Sequence, residues 1–292
     1  RDLAADVAAG GYELLPLETF TAFAAGKVRT LHRAELLDRV VLTALAKILV
    51  DEVEASLSER LYSYRPGFSN VRALRAFALF LRKHRAERSD PRARGVYVIR
   101  TDIANYGESI RTDDDSPLRT ALEPIHARWP ATVVALLRSA IRQPVLDGDA
   151  PAHVLERGVP TGSPIQPALC NLYLSAADHE IAALPGVFSA RFGDDILLAS
   201  ESTSDVEAAF AILSRHAEER GLVLRPEKTQ RRFMTGAGRA PSSGPGTADA
   251  RLRFTGADHV DYVGARGAFA GDLQLRPDKE NSLVRRVEAR LT

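Results

Sequence analysis

The stretch Phe192-Gly193-Asp194-Asp195-Ile196-Leu197-Leu198 constrains this chain more than any other. Two adjacent carboxylates lie between apolar residues, Phe188 and Phe192 before and Ile196 to Leu198 after. Gly193 takes positive φ at no steric cost, so the pattern predicts a tight hairpin that pushes Asp194 and Asp195 out of a buried sheet at one point. Like charges packed this closely repel, so each must be solvated or the pair must meet a cation. Asp-Asp after Gly also occurs in ordinary surface turns, and the remaining residues have to decide between the two.

Val96 to Ile103 reads as a buried strand that begins after Gly95 and carries Asp102 at its C-terminal end. Strand ends are where α/β sites collect ligands, although an Asp there can also cap a following helix. Gly158 to Pro167 is a Gly/Pro-rich loop that opens a helix from about Ala168 through Ala183. Such a loop is either a plain connection or a place where a flat or anionic ligand approaches backbone amides. Upstream, Lys27 and Arg29 share one side of an extended segment and suit a triphosphate, or are two solvated cations. A strand-end Asp and a hairpin Asp-Asp, separated by a loop and helix, describe a carboxylate site for two cations ~4 Å apart. Mg²⁺ prefers carboxylate oxygen and keeps water, so two or three Asp suffice without His or Cys. That chemistry fits nucleotidyl transfer.

The other segments read mainly as scaffold. From about Ala34 to Leu57 apolar residues recur at three and four, predicting a helix whose Leu36, Leu37, Val40, Val41, Ala44, Leu45, Ile48, Leu49 and Val53 are mostly core. A second helix is expected from Asn70 to His84, two more over 116–141 broken at Pro130, and another from Ser204 to Arg220. Asp113 to Asp115 read as a solvated loop or as caps for the helix near Leu118. Short strands are expected at Leu222-Val223-Leu224, at Tyr262-Val263-Gly264 and around Leu273, and a last amphipathic helix at 281–291. Residues 235–250 are low-complexity and expected to be mobile. Net charge is only +1, but 82–94 and 227–248 are locally basic, which is what phosphate backbones respond to. One cysteine, Cys170, excludes an internal disulfide and fits a reducing, cytoplasmic setting. No apolar run spans a bilayer, so no membrane partner is expected. The one methionine is Met234, so a chain starting at Arg1 is expected to be cut from something longer.

Taken in order, these segments resemble the bacterial reverse transcriptases of the group II intron, retron and anti-phage defence type. Gly26 to Leu31, with Asp38 to Val41, resembles the fingers block, and Ser63-Tyr64-Arg65-Pro66-Gly67 the family's Phe-Arg-Pro-Gly turn. Asp102 to Ile110 resembles motif A, Gly158 to Leu174 motif B, and Phe192-Gly193-Asp194-Asp195 sits where the family has Tyr-x-Asp-Asp. Gly221 to Thr229 resembles motif D, and Tyr262-Val263-Gly264 the primer grip. The resemblance implies an α+β right-hand polymerase with an antiparallel palm sheet packed on helices. Its expected divisions are fingers at 1–95, palm with fingers insertions at 96–276, and the start of a thumb at 277–292. It implies RNA-directed DNA synthesis with two Mg²⁺ ions, Mn²⁺ being an alternative. Asp102, Asp194 and Asp195, with the Ile103 carbonyl, would hold the metals, and Lys228 would approach the phosphates as cation or proton donor. Lys27, Arg29, Tyr106, Gly107, Gly162 and Ser163 would contact the nucleotide; Arg65, Thr161 and Gln166 would contact nucleic acid. Implied partners are an RNA template, a primer or DNA product, dNTPs or alternatively rNTPs, and a noncoding RNA or further protein domain.

Four positions depart from the family pattern. Thr161 stands where Gln is usual and Gln166 where Ser is frequent, which bears on template contacts. Gly193 makes a Gly-Asp-Asp, as in many RNA-templated RNA polymerases. Gly107 stands where the family usually has a bulky aromatic that excludes a 2′-hydroxyl, so weak sugar discrimination is expected unless Tyr106 restores the gate. Two other readings stay open: an RNA-synthesising or untemplated polymerase in phage defence, and a silent RNA-binding scaffold.

Overall fold

The computed structural model describes residues 2–24, 27–86, 95–236, 238 and 253–281. In chain order these form α1 (Leu3–Ala8), β1 (Leu17–Ala24), β2 (Lys27–Arg33), α2 (Leu36–Glu54), α3 (Asn70–Ala86), β3 (Val96–Asp102), α4 (Tyr106–Ser109), α5 (Pro117–His126), α6 (Ala131–Ile141) and β4 (Val145–Leu146). Then follow α7 (Gln166–Tyr173), α8 (Ser175–Ala182), β5 (Val187–Phe192), β6 (Asp195–Ser200), α9 (Thr203–Glu219), a 3₁₀ turn (Pro226–Lys228), β7 (Gln230–Met234), β8 (Thr255–Ala257), β9 (His259–Tyr262), β10 (Ala265–Ala268) and β11 (Leu273–Leu275). The chain divides into two compact units, each assembled from separated stretches: Arg1–Leu57, Ala104–Ser175 and Ala217–Val223 in one; Ser58–Ile103, Ala176–His216 and Leu224–Thr292 in the other. Residues 58–95 therefore fold with the sheet-bearing unit, and 104–175 with the helical one.

The sheet-bearing unit has a five-stranded sheet in the order β5-β6-β3-β7-β8. All its pairings are antiparallel except β7 with β8. A second, three-stranded antiparallel sheet runs β11-β10-β9. The residues of β5 and β6 are buried almost throughout, which is why their sequences lack polar alternation. Helix α3 packs on this layer through Ala73, Leu74, Phe77 and Leu81, one stripe at a spacing of three and four. Phe77 is fully buried with its ring centroid 5.5 Å from that of Phe188.

The helical unit holds the β1–β2 hairpin, with β4 parallel to β1. Its helix α2 carries the buried acid Asp38, which accepts from the Tyr12 hydroxyl at 2.6 Å and from the Leu15 amide at 2.9 Å, tying the N-terminal segment to the helix. Val41, Leu45, Leu49 and Val53 are core as expected. Leu36, Leu37, Val40 and Ile48 are not: each is at least 50% exposed. α2 carries apolar residues on its exposed side as well as its buried one, and one face alone is covered, so periodicity marked the helix but not which stripe is buried.

Other sequence expectations shift in detail. The single helix expected after the Gly/Pro loop is two, α7 and α8, separated at Leu174. Leu222-Val223-Leu224 forms no strand; Leu224 makes only an isolated bridge to Ile103. The strand expected at Tyr262 to Gly264 ends at Tyr262, and Val263 and Gly264 turn at positive φ. Residues 277–281 are helical, whereas the rest of the expected thumb, the basic loop at 87–94, Gly26 and nearly all of the 235–250 segment lie outside the described residues.

Phe77→Ala is expected to cost about 3–5 kcal/mol, because a fully buried aromatic leaves a cavity that a β-sheet cannot collapse into. A shift in the urea midpoint measures this; a loss below about 1 kcal/mol would place the core elsewhere.

Candidate active site

Within the sheet-bearing unit, β3 and β6 pair in a register that sets the Cα of Asp102 opposite that of Asp195. The turn between β5 and β6 is Gly193-Asp194, with Gly193 at φ +65°, the left-handed conformation that favours glycine. The Ile103 amide donates to the Asp194 carbonyl at 3.1 Å, so the turn is fastened to the end of β3 by backbone as well as by register. Residues 102, 194 and 195 are thereby neighbours although more than ninety positions separate the first from the others.

Their carboxylates are treated differently. Asp102 Oδ1 accepts from Lys228 Nζ at 2.9 Å and lies 3.1 Å from Arg225 Nε. Both cations are placed by the segment after α9: the Arg225 amide donates to the Asp102 carbonyl at 2.9 Å, and the 3₁₀ turn then delivers Lys228. The Asp195 oxygens are both taken by Arg100, at 2.8 and 2.7 Å. Arg100 and Asp102 lie two apart on β3 and share a face, which makes Arg100 the diagonal cross-strand neighbour of Asp195. Asp194 sits at the solvent edge, yet the protein crowded round its carboxyl pushes its pKa up, and the Asp102 and Asp195 charges push it further, Lys228 only partly opposing them.

Among the described residues no group of three or more His, Cys, Asp or Glu side chains is arranged to hold a metal ion. Asp195 is held by Arg100 and Asp102 by Lys228 and Arg225, and Asp102 with Asp194 makes an acidic pair. That pair fits a divalent cation by its chemistry. Its donors are hard oxygens, and the raised Asp194 carboxyl is one whose charge a nearby cation would relieve.

The turn is clamped by groups that the sequence did not announce as functional. Arg191, 2% exposed near the end of β5, pairs with Asp178 on α8 at 2.9 and 2.6 Å. Its Nη1 also donates to the Gly193 carbonyl at 3.3 Å. The Ser63 hydroxyl accepts from the Gly193 amide at 2.9 Å. Segment 60–62 lies beside β5, with the Arg191 amide donating to the Arg60 carbonyl and the Tyr62 amide to the Arg191 carbonyl, each at 2.9 Å. Tyr64, at φ +53°, packs its ring against Phe192 with centroids 6.4 Å apart. Tyr262 is fully buried and donates to the Ala190 carbonyl at 3.0 Å. The signal available in sequence was Arg191 itself, a charge inside an apolar strand. Arg65, expected to contact nucleic acid, instead directs its guanidinium to the Ser58 and Leu61 carbonyls at 2.6 and 2.9 Å.

The remaining expected contacts belong to the helical unit. Arg29 is exposed on β2, and Lys27 begins that strand; the Lys27 side chain lies outside the described residues. The His32 amide of β2 donates to the Thr161 carbonyl at 2.7 Å, which draws the Gly/Pro loop against the hairpin. Gly162, at φ +106°, lies so close that a Cβ there would sit 2.7 Å from the His32 carbonyl oxygen, so only glycine fits. Ser163 is buried, and its hydroxyl has no hydrogen-bond partner among the described residues. Tyr106 is a core residue: it is 6% exposed and donates to the Cys170 carbonyl at 2.5 Å, which takes it out of the role of a substitute gate. Gln166 fills the space beside Gly107 instead. A Cβ on residue 107 would lie 2.4 Å from Gln166 Nε2, which donates to the Val159 carbonyl at 2.8 Å.

Two outcomes follow from this geometry. Asp178→Ala strands the buried Arg191 and is expected to cost about 3–5 kcal/mol, whereas the double change Asp178→Leu with Arg191→Met recovers most of it, read from a double-mutant cycle in urea. Asp194 is raised in the folded state, so without metal the folded protein holds a proton that the unfolded chain has released, and stability falls as pH rises through that range. Asp194→Asn is therefore expected to raise the thermal midpoint at pH 7 in EDTA, by an amount that shrinks as the pH is lowered toward the ordinary carboxylate range.

The comparisons with known proteins agree with this geometry. Residues 21–266 match the family model described as reverse transcriptase (RNA-dependent DNA polymerase). The chain is 28% identical over 149 residues to the retron Mx65 reverse transcriptase of Myxococcus xanthus, a match covering 49% of this chain and 34% of that protein. Among solved structures it resembles apo telomerase from Candida tropicalis truncated from its C-terminal domain, with TM-score 0.64, 10% identity, and coverage of 90% of this chain and 55% of that one. It also resembles telomerase from Candida albicans in complex with a TWJ fragment of telomeric RNA, with TM-score 0.64, 14% identity, and coverage of 91% and 46%. The chain therefore spans about a third of its curated relative and about half of these telomerase chains. Enzymes of this family generally use divalent metal ions, and the mixed helices and largely antiparallel sheets are those of a right-hand polymerase. The chain belongs to the reverse transcriptase family.

Proposed function

We propose that this chain carries the polymerase centre of an RNA-directed DNA polymerase, acting on an RNA template, a primer with a free 3′-hydroxyl, and dNTPs. The observation that carries the reading is the β3–β6 register, which joins the Asp of one motif to the Asp-Asp of another at a single sheet end. Asp102, Asp194 and Asp195, with the Ile103 carbonyl, are the residues that would hold Mg²⁺, in the family's arrangement of two ions, with Mn²⁺ as a substitute. When bound, these ions supply Lewis acidity at the attacking and leaving oxygens. In the step itself the primer 3′-oxygen, giving up its proton, forms a bond to the α-phosphorus while the bond to the β-phosphate oxygen breaks and pyrophosphate leaves. Lys228, half-exposed and held at Asp102, is placed to give positive charge or a proton to the departing pyrophosphate. Arg100 holds Asp195 oriented through both its oxygens, a positioning role. Lys27, Arg29, Gly162 and Ser163 are proposed on the nucleotide, and Thr161 on the template, by their place in the family's motifs. The fingers, palm and thumb divisions at 95 and 276 are proposed on the same basis.

Sugar selection has its own support. With Gly107 bare and Gln166 Nε2 beside it, we read Gln166 as the group that takes the place of the usual aromatic gate. An amide is smaller and wetter than an aromatic ring, so the barrier to a 2′-hydroxyl is weak.

The defining assay is primer extension on an RNA template. DNase-sensitive product that requires a divalent ion and falls at least ~10³-fold in Asp194→Ala, about 4 kcal/mol, is the expected result. RNase-sensitive product would make it an RNA-synthesising enzyme, and RNA binding without incorporation a scaffold. For sugar choice, dNTP preference over rNTP is expected to stay below ~10³-fold and to fall about tenfold further in Gln166→Ala.

A further inference from the structure

We propose that α5 and α6 of the helical unit form a phosphate-binding pocket, built to hold a phosphoryl group that is not the one undergoing transfer. Between these helices lies a cavity of about 120 Å³. That is the liquid volume of about four waters, enough for a phosphate or pyrophosphate and below the several hundred Å³ of a whole-ligand pocket. Its floor is apolar, from Leu122 and Ile141, and its rim is basic.

The charges at the rim are unbalanced. Asp113 is already held by both arms of Arg111, and Asp114 by Arg119 at 2.5 Å. Arg138 and Arg142 remain. Arg138 lies in the last turn of α6 and Arg142 is its C-cap four residues on, so two like charges border the same cavity. Neither has an ion-pair partner among the described residues. A second observation points into the same space. His126, the last residue of α5, lines the cavity, and among the described residues its buried Nε2 has no hydrogen-bond partner. Buried ring nitrogens are normally satisfied, so an unsatisfied one beside a cavity is a further polar group left for a ligand. Crowding lowers the His126 pKa, and the Arg138 and Arg119 charges lower it further; a field that repels a proton attracts an anion. A phosphate oxygen here would accept from both guanidiniums and from His126 Nε2–H, the charge-assisted bonds that phosphates favour.

Phosphate can arrive free, as pyrophosphate, or on a polynucleotide, and the test separates the two. The full-length protein is titrated calorimetrically with sodium pyrophosphate in EDTA, where no divalent ion can bridge pyrophosphate to carboxylates, and separately with a short RNA over a range of salt. The comparison protein is Arg138→Gln with Arg142→Gln, two exposed changes expected to leave folding and primer extension on a short template intact. Pyrophosphate affinity at least tenfold weaker in the variant establishes a site for free phosphate. Weaker RNA binding, with the slope of log affinity against log salt smaller by about 0.7, establishes a site for a polynucleotide phosphate. Equal affinity of variant and parent for both probes overturns the proposal. Neither titration requires turnover, so failure of the polymerase assignment would be seen in extension alone.

Discussion

One antiparallel register underlies the site. By placing Asp102 opposite Asp195, the β3–β6 ladder brings two distant motifs to one sheet end with backbone hydrogen bonds, the least adjustable contacts a protein has. A slip of one residue would turn every side chain of β3 to the other face and remove Asp102 from its partner. Burial resists such a slip: Val96, Val98 and Ile99 are fully enclosed and cannot exchange places with Tyr97 or Arg100 without exposing core. The apolar sequence of β3 and the chemistry at its end are therefore the same constraint seen at two scales.

Around this frame the negative charge is distributed rather than concentrated. Asp195 is neutralised by Arg100, Asp102 by Lys228 and Arg225, and Asp194 alone is left in a crowded setting that disfavours its charge. Each cation comes from a segment adjacent to an acid in space, not in sequence, so the arrangement is a property of the fold. Below it, the Arg191–Asp178 pair, the Ser63 hydroxyl and the Tyr64 ring hold the glycine turn from three directions. A turn that must present a carboxylate at the solvent edge without drifting is thus anchored on groups that are themselves immobile.

Much of this was legible from sequence, and the part that was not has physical reasons. The strand at Val96, the hairpin at Gly193 and the helices around Pro130 follow from local apolar patterns and breakers. Asp102 and the Asp-Asp pair were visible because acids in apolar strands need an explanation. Arg100 and Arg225 were not: an arginine near an acid in space leaves no local mark. The exposed half of α2 was misjudged because periodicity says which residues share a face and not which face is covered. The surroundings of Tyr106 and Gln166 were hidden for a similar reason. Only packing shows that the ring turns inward to Cys170 and that the amide occupies the room left by Gly107.

The threading of the central sheet has a consequence for how the protein is made. β3 is flanked on one edge by β6 and on the other by β7, both of which leave the ribosome roughly a hundred or more residues later. Until they emerge, a strongly apolar strand stands with both edges open, the condition in which nascent chains associate wrongly. Such long-range closure is intrinsically slow. Assembly of the sheet-bearing unit is thus tied to late synthesis, and a nascent chain halted before β7 would hold both aspartate motifs without the strand that completes their scaffold.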